Sequence, residues 1–90
     1  MAASGQATIT AHGTAERLTT QVGQVFLIRA LPTNTGVVYV GNDGADDVSS
    51  ANGFPLSATD SPIMVVLDNL NQLWLDSAVD SEGIAWLVVE

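Results

Sequence analysis

Residues 36–77 read GVVYVGNDGADDVSSANGFPLSATDSPIMVVLDNLNQLWLDS. Val37, Val38, Tyr39 and Val40 form one apolar burst, residues 63–67 a second, and Leu70, Leu73, Trp74 and Leu75 a third. Gly, Asn, Asp, Ser and Pro separate them. Bursts of β-branched and aromatic residues cut by turn formers about every ten residues are the pattern of a small all-β domain. The same stretch holds no histidine, cysteine, lysine or arginine. A segment without the residue types that chemistry near neutral pH usually needs points to a protein that works through the shape of its surface.

The reading extends outward from there. Residues 24–31 predict a strong strand in which Val25 and Leu27 alternate with Phe26 and Ile28, with Arg29 marking an edge or an end. Residues 32–36 predict a turn, since Asn34 and Gly36 suit positive φ. Residues 37–41 then continue as a strand that pairs with 24–31 in a hairpin. Residues 42–50 are a polar loop, and Asn52-Gly53 is a turn dipeptide. Pro55 confines Phe54-Pro55-Leu56 to an edge or a bridge. Residues 63–67 predict a strand buried on both faces or at an interface. Residues 70–76 place Leu73 and Leu75 on one side and Trp74 on the other. Residues 77–83 turn, and residues 84–89 close the domain as a strand. At the other end, residues 1–6 are small and polar and predict a mobile arm. Residues 7–12 predict a strand broken by Gly13, and residues 14–20 a short strand or turn, with a short helix over 15–21 as the alternative. The expectation is one all-β domain over residues 13–90, a single small sandwich or barrel of about seven short strands. Residues 1–12 are its N-terminal arm or first strand.

Ninety residues make one domain. A folded chain of this size exposes roughly 5,000 Å² and buries only about 60–65% of its unfolded surface, so its core is marginal. Such domains gain stability by assembling. With no cysteine, disulfides, thiolate zinc sites and thiol catalysis are excluded. Ten acidic residues face two arginines, Arg17 and Arg29, giving a net charge of −8. Phosphate backbones and anionic lipid headgroups repel such a chain, so neither nucleic acid nor membrane is an expected partner. Apolar residues make up 47% of the chain and charged residues 13%, which leaves apolar surface for a partner to cover. No segment approaches the roughly 20 apolar residues of a membrane span. The first residues lack the basic and apolar regions of a signal peptide, so synthesis in the host cytoplasm without Sec-type export is expected.

Candidate chemistry is sparse. His12 is the single histidine, and a general base needs an orienting partner. A solvent-exposed strand-end histidine is the favoured reading. The acid cluster Asn42-Asp43-Gly44-Ala45-Asp46-Asp47 offers hard oxygen ligands, but it lacks the EF-hand series and its terminal bidentate Glu. A solvated turn is favoured over Ca²⁺. Asp68, Asp76, Asp80 and Glu82 supply carboxylates for a hydrolytic pair only on paper, since each sits in a turn context where acids bond their own backbone. Ser49 and Ser50 have no nucleophile-elbow context, and Gly41-Asn42-Asp43-Gly44 lacks the lysine of a phosphate loop. No cofactor, metal or catalytic residue is assigned. Trp74 and Trp86 carry the best recognition signal, and their leucine and valine neighbours favour core or subunit packing over sugar stacking.

Leu18-Thr19, Ala30-Leu31-Pro32, Asn34-Thr35-Gly36, Val38-Tyr39-Val40-Gly41, Asn52-Gly53-Phe54-Pro55-Leu56 and the run over residues 68–75 follow one another in an order that resembles small virion-associated proteins of tailed bacteriophages. The resemblance covers roughly residues 14–89. The shared pattern is an N-terminal L-T, then A-x-P-x-N-x-G, V-Y-V-G, N-G-x-x-L and an acidic D-N-L. This chain departs from it in a longer and more acidic loop over residues 42–50. The resemblance implies a β-rich structural protein of the particle, such as a capsid decoration or cement protein.

The expected function is therefore a non-catalytic cement protein on the outer capsid surface, where its negative charge stays away from packaged DNA. Its partners are the major capsid protein and further copies of itself, most simply a homotrimer over junctions between capsid subunits. A ligand that binds only the assembled shell stabilises it by mass action. Phe26, Tyr39, Phe54, Ile63, Val65, Leu73, Trp74 and Trp86 are the expected packing residues at its interfaces. Arg17 and Arg29 are the expected salt-bridge residues, and the N-terminal arm crosses to a neighbour. The alternative is a tail- or fibre-associated module that binds a receptor or glycan.

Overall fold

The computed structural model describes residues 3–42, 44, 48, 49 and 52–90. Its strands in chain order are β1 (Ser4–Thr8), β2 (Glu16–Arg17), β3 (Val25–Ala30), β4 (Val38–Gly41), β5 (Phe54–Leu56), β6 (Ile63–Val66), β7 (Trp74–Ser77) and β8 (Gly83–Val88). One 3-10 turn, Leu70–Gln72, precedes β7. The strands form two four-stranded antiparallel sheets, ordered β1-β8-β3-β6 and β2-β7-β4-β5. The fold is all-β, as the alternation of apolar bursts and turns predicts. It is a sandwich and not a closed barrel, because β1 and β6 bound the first sheet and β2 and β5 the second.

The core lies between the inner faces. β3 alternates half-buried and buried residues, and sends Phe26, Ile28 and Ala30 inward. β8 adds Ile84, Trp86 and Val88 from the same sheet. Val38, Val40, Leu56 and Leu75 meet them from the second sheet, and Leu18, Leu70 and Leu73 close one end. The chain exposes 4977 Å², in line with the roughly 5,000 Å² of a self-contained domain this size.

Several elements differ from the sequence reading. β3 and β4 are not a hairpin. β8 and β6 already flank β3 on both sides, so β4 crosses to the second sheet and pairs with β7 and β5. Arg29 accordingly marks the end of a strand and not an edge: it is the second-to-last residue of the central β3, opposite Ala85. β6 is not buried on both faces: Ile63 and Val65 pack half-buried against the core while Met64 and Val66 are exposed, which leaves the interface alternative open. It is an edge strand whose residues alternate between half-buried and exposed. The first strand begins three residues earlier than residues 7–12, so residues 4–6 are not an arm but part of the sheet. β1 pairs with β8 from Ser4 opposite Leu87 to Thr8 opposite Gly83. It lies close because Gly5 faces the Trp86 ring and Gly83 faces the Ala7 carbonyl, both at distances that leave no room for a Cβ. Residues 15–21 contain no helix; Glu16 and Arg17 extend against Leu75 and Trp74 instead. Pro55 does confine β5 to an edge, as its missing N–H requires.

Candidate functional site

The outer face of the first sheet is the largest departure from a polar protein surface. β3 needs only its even positions for the core, so Val25, Leu27 and Arg29 point outward. β8 presents Ala85 and Leu87 on that side, and β6 presents Met64 and Val66. Register joins these into rows: Leu87, Leu27 and Met64 lie directly across three strands, and Val25 faces Val66. Val66 is 78% exposed, Met64 64% and Leu87 41%. Leu27, Arg29, Pro62, Ala85 and Leu87 border a recess of ≈ 190 Å³. Arg29 is the cation on this face; its Nε donates to the Ala30 carbonyl at 3.3 Å. Toward β1 the face turns polar through Ser4, Gln6 and Thr8.

A second apolar feature opens at one side of the sandwich, where the edge strands β5 and β6 lie next to each other. A groove of ≈ 540 Å³ runs there between Val40, Phe54, Ile63, Val65 and Leu73, with Asn42 and Asn52 at its rim.

The expected interface residues divide accordingly. Phe26 and Trp86 are buried in the chain's own core, and Leu73, also buried, forms part of the groove wall. Tyr39 and Trp74 are half-buried on the second sheet, while Phe54, Ile63 and Val65 border the open-side groove. Both arginines lie at the surface, but on different sheets. Arg17 lies over Trp74, its guanidinium carbon 5.9 Å from the ring centroid, and its Nε donates to the Asn71 carbonyl at 2.8 Å. A cation already placed over that ring competes with a sugar for stacking. The sequence reading missed Leu27, Met64, Val66 and Leu87. Their signal was present: the apolar residues of β6 occupy both alternations, whereas a two-layer sandwich uses only one face of each sheet for its core.

The carboxylates are engaged with main chain. Glu82 is almost closed off from solvent and accepts from Thr35 N–H at 2.6 Å, the Thr35 hydroxyl at 3.0 Å and Gly36 N–H at 2.9 Å. The Thr35 and Gly36 N–H groups hold its pKa below the ordinary glutamate range. Asp76 is buried and accepts from Gly13 N–H at 3.0 Å and Ser77 N–H at 2.8 Å. Asp80 accepts from His12 N–H at 2.8 Å and meets His12 Nδ1 at 2.7 Å, and these contacts with His12 lower its pKa. His12 is solvent-exposed, as expected, yet it has an orienting carboxylate that the sequence did not reveal. The nearby crevice of ≈ 270 Å³ is bordered by His12, Tyr39, Asp76 and Ser77. Ser77 there donates its hydroxyl to the Val79 carbonyl at 2.6 Å. Asp68 is exposed. No group of three metal-ligating side chains occurs among the described residues. Asp43, Asp46 and Asp47 of the calcium candidate lie outside the described residues. No helix among the described residues is long and apolar enough to cross a membrane.

Comparison with protein-family models, with curated proteins and with solved structures finds no match for this chain.

Proposed function

We propose that this chain is a non-catalytic assembly module that docks through the outer face of its first sheet, and that the surface it docks on is the outside of a bacteriophage capsid, which it cements. The observation that carries this reading is the exposed row of Leu87, Leu27 and Met64 with Val66 beside it. Apolar residues scattered singly on a surface need no explanation, but a contiguous set across three strands marks a binding surface. The ≈ 190 Å³ recess within it suits an apolar side chain, and Arg29 at its border suits an acidic one. The net charge of −8 supports the outer side of the shell, away from packaged DNA. The shell itself comes from the sequence resemblance to virion-associated phage proteins. Many copies binding only assembled shell stabilise it even when each contact is weak.

The test is co-sedimentation with purified empty shells of a tailed phage whose genome carries this sequence. The native chain sediments with the shells in a saturable stoichiometry. The double variant Val66→Lys with Leu87→Lys stays in the supernatant while keeping its far-ultraviolet spectrum. Recovery of both proteins with the shells in equal amount contradicts the reading, as does recovery of neither.

A further inference from the structure

We propose that the open side of the sandwich, between β5 and β6, takes up an extended segment of a partner with apolar side chains at alternate positions and cationic residues at its ends. The segment adds to the first sheet as a further strand beside β6. This inference stands apart from the docking of the outer face.

Among the described residues no strand pairs with the main chain of β6 on that side. Leu67 N–H donates to the Gln24 carbonyl at 3.0 Å, while Val25 exchanges bonds with Val89 and Glu90, just past the end of β8. Antiparallel ladders alternate bonded and non-bonded pairs. With Val66 opposite Val25 and Met64 opposite Leu27, the N–H and C=O groups of Met64 and Val66 therefore point away from β3, along the free edge. Natural edge strands are blunted by lysine, proline or a bulge. Residues 63–66 carry none of these; Pro62 precedes the strand. Next to this edge lies the ≈ 540 Å³ groove, with Val40 and Leu73 buried and Phe54 54% exposed. A strand added beside β6 turns every second side chain toward that groove. Main-chain bonds then supply affinity and the groove supplies selectivity.

Charge decides the occupant. The exposed Asp60 and Asp68 flank β6 at its two ends. A second copy pairing antiparallel through Met64 places each Asp60 opposite the other copy's Asp68, on top of the mutual repulsion of two chains at −8. Like charges directly opposite are destabilising. A segment ending in lysine or arginine meets both aspartates favourably.

The experiment uses a short synthetic peptide alternating valine and threonine with a lysine pair at each end, and a counterpart with glutamate pairs. Binding is read from backbone amide shifts of the full chain and by titration calorimetry. The lysine-ended peptide shifts the amides of Met64 and Val66 most and binds at least tenfold more tightly than the glutamate-ended one. Asp68→Lys, a change at an exposed side chain, weakens the first peptide and strengthens the second. Met64→Pro removes an outward N–H and weakens both. Equal binding of the two peptides, shifts confined to other strands, or sedimentation showing that the chain dimerises through β6 overturns the proposal.

Discussion

Glu82 and Thr35 tie the two sheets together. The Glu82 carboxylate, at the turn into β8 of the first sheet, accepts from both the N–H and the hydroxyl of Thr35, on the crossing from β3 to β4. Beside it, Asn34 Nδ2 donates to the Gly83 carbonyl at 2.8 Å, and Gly83 N–H donates back to Asn34 Oδ1 at 3.3 Å. Asn34-Thr35-Gly36 thus turns the chain from one layer to the other by bonding to Glu82-Gly83, not by forming a hairpin.

This clasp makes stability depend on acid. Glu82 and Asp80 both have folded-state pKa values lowered by hydrogen bonds, first from Thr35 N–H and His12 N–H respectively. The folded state therefore binds their protons less readily than the unfolded state. Their contribution is complete above the unfolded carboxylate values, roughly 4, and is lost as pH falls through the lowered folded values. Thermal melts from pH 7 downward show a falling midpoint in that acid range. Glu82→Gln lowers the midpoint at pH 7 and flattens its acid dependence, because an amide presents donors to donors. An unchanged acid slope contradicts the assignment.

Gly83→Ala tests the seating of β1. A Cβ at this position collides with the Ala7 carbonyl oxygen, so β1 must move off β8. The expected loss is at least about 2 kcal/mol in urea unfolding, with faster hydrogen exchange over residues 4–8. At Gly44 an added Cβ meets none of the described residues, and its φ of 88° opposes alanine at roughly 1–2 kcal/mol.

Trp86 Nε1 is buried and has no hydrogen-bond partner among the described residues. Leaving a donor unpaired costs about 1–3 kcal/mol, which offsets much of the volume lost in Trp86→Phe. That variant is expected within about 1 kcal/mol of the native chain. Phe26→Ala, by contrast, removes a fully buried ring and costs about 3–5 kcal/mol. For ninety residues the whole stability is roughly 5–13 kcal/mol. Chemical denaturation of the two variants checks the contrast.

Much of this was legible in the sequence. Turn-bounded apolar bursts locate β3, β4, β6, β7 and β8, and Pro55 puts β5 at an edge. Asp68-Asn69 reads as a turn, and Asn69 caps a 3-10 turn with Gln72, whereas Leu70–Gln72 read as the start of the next strand, which begins only at Trp74. Two things were hidden. Alternation sorts β3 into Phe26 and Ile28 against Val25 and Leu27, but not into core and surface, so Phe26, Leu73 and Trp86 were placed at interfaces although the chain buries them itself. Strand adjacency was hidden because Glu82 fixes the crossing of Thr35 from 47 residues away. The start of β1 reads as an arm because Ser4, Gly5 and Gln6 carry no apolar burst, whereas Ala7 and Thr8 fall in the strand expected over residues 7–12. β1 is held by close backbone approach at Gly83 instead.

The central claim is that the outer face of the first sheet cements a capsid. Genome-filled particles stripped of this protein are heated, and DNA release is followed with an intercalating dye. Particles refilled with the native chain release DNA at a higher temperature than stripped ones, and particles treated with Val66→Lys, Leu87→Lys chain release it at the stripped temperature. Identical release from stripped and refilled particles contradicts the account.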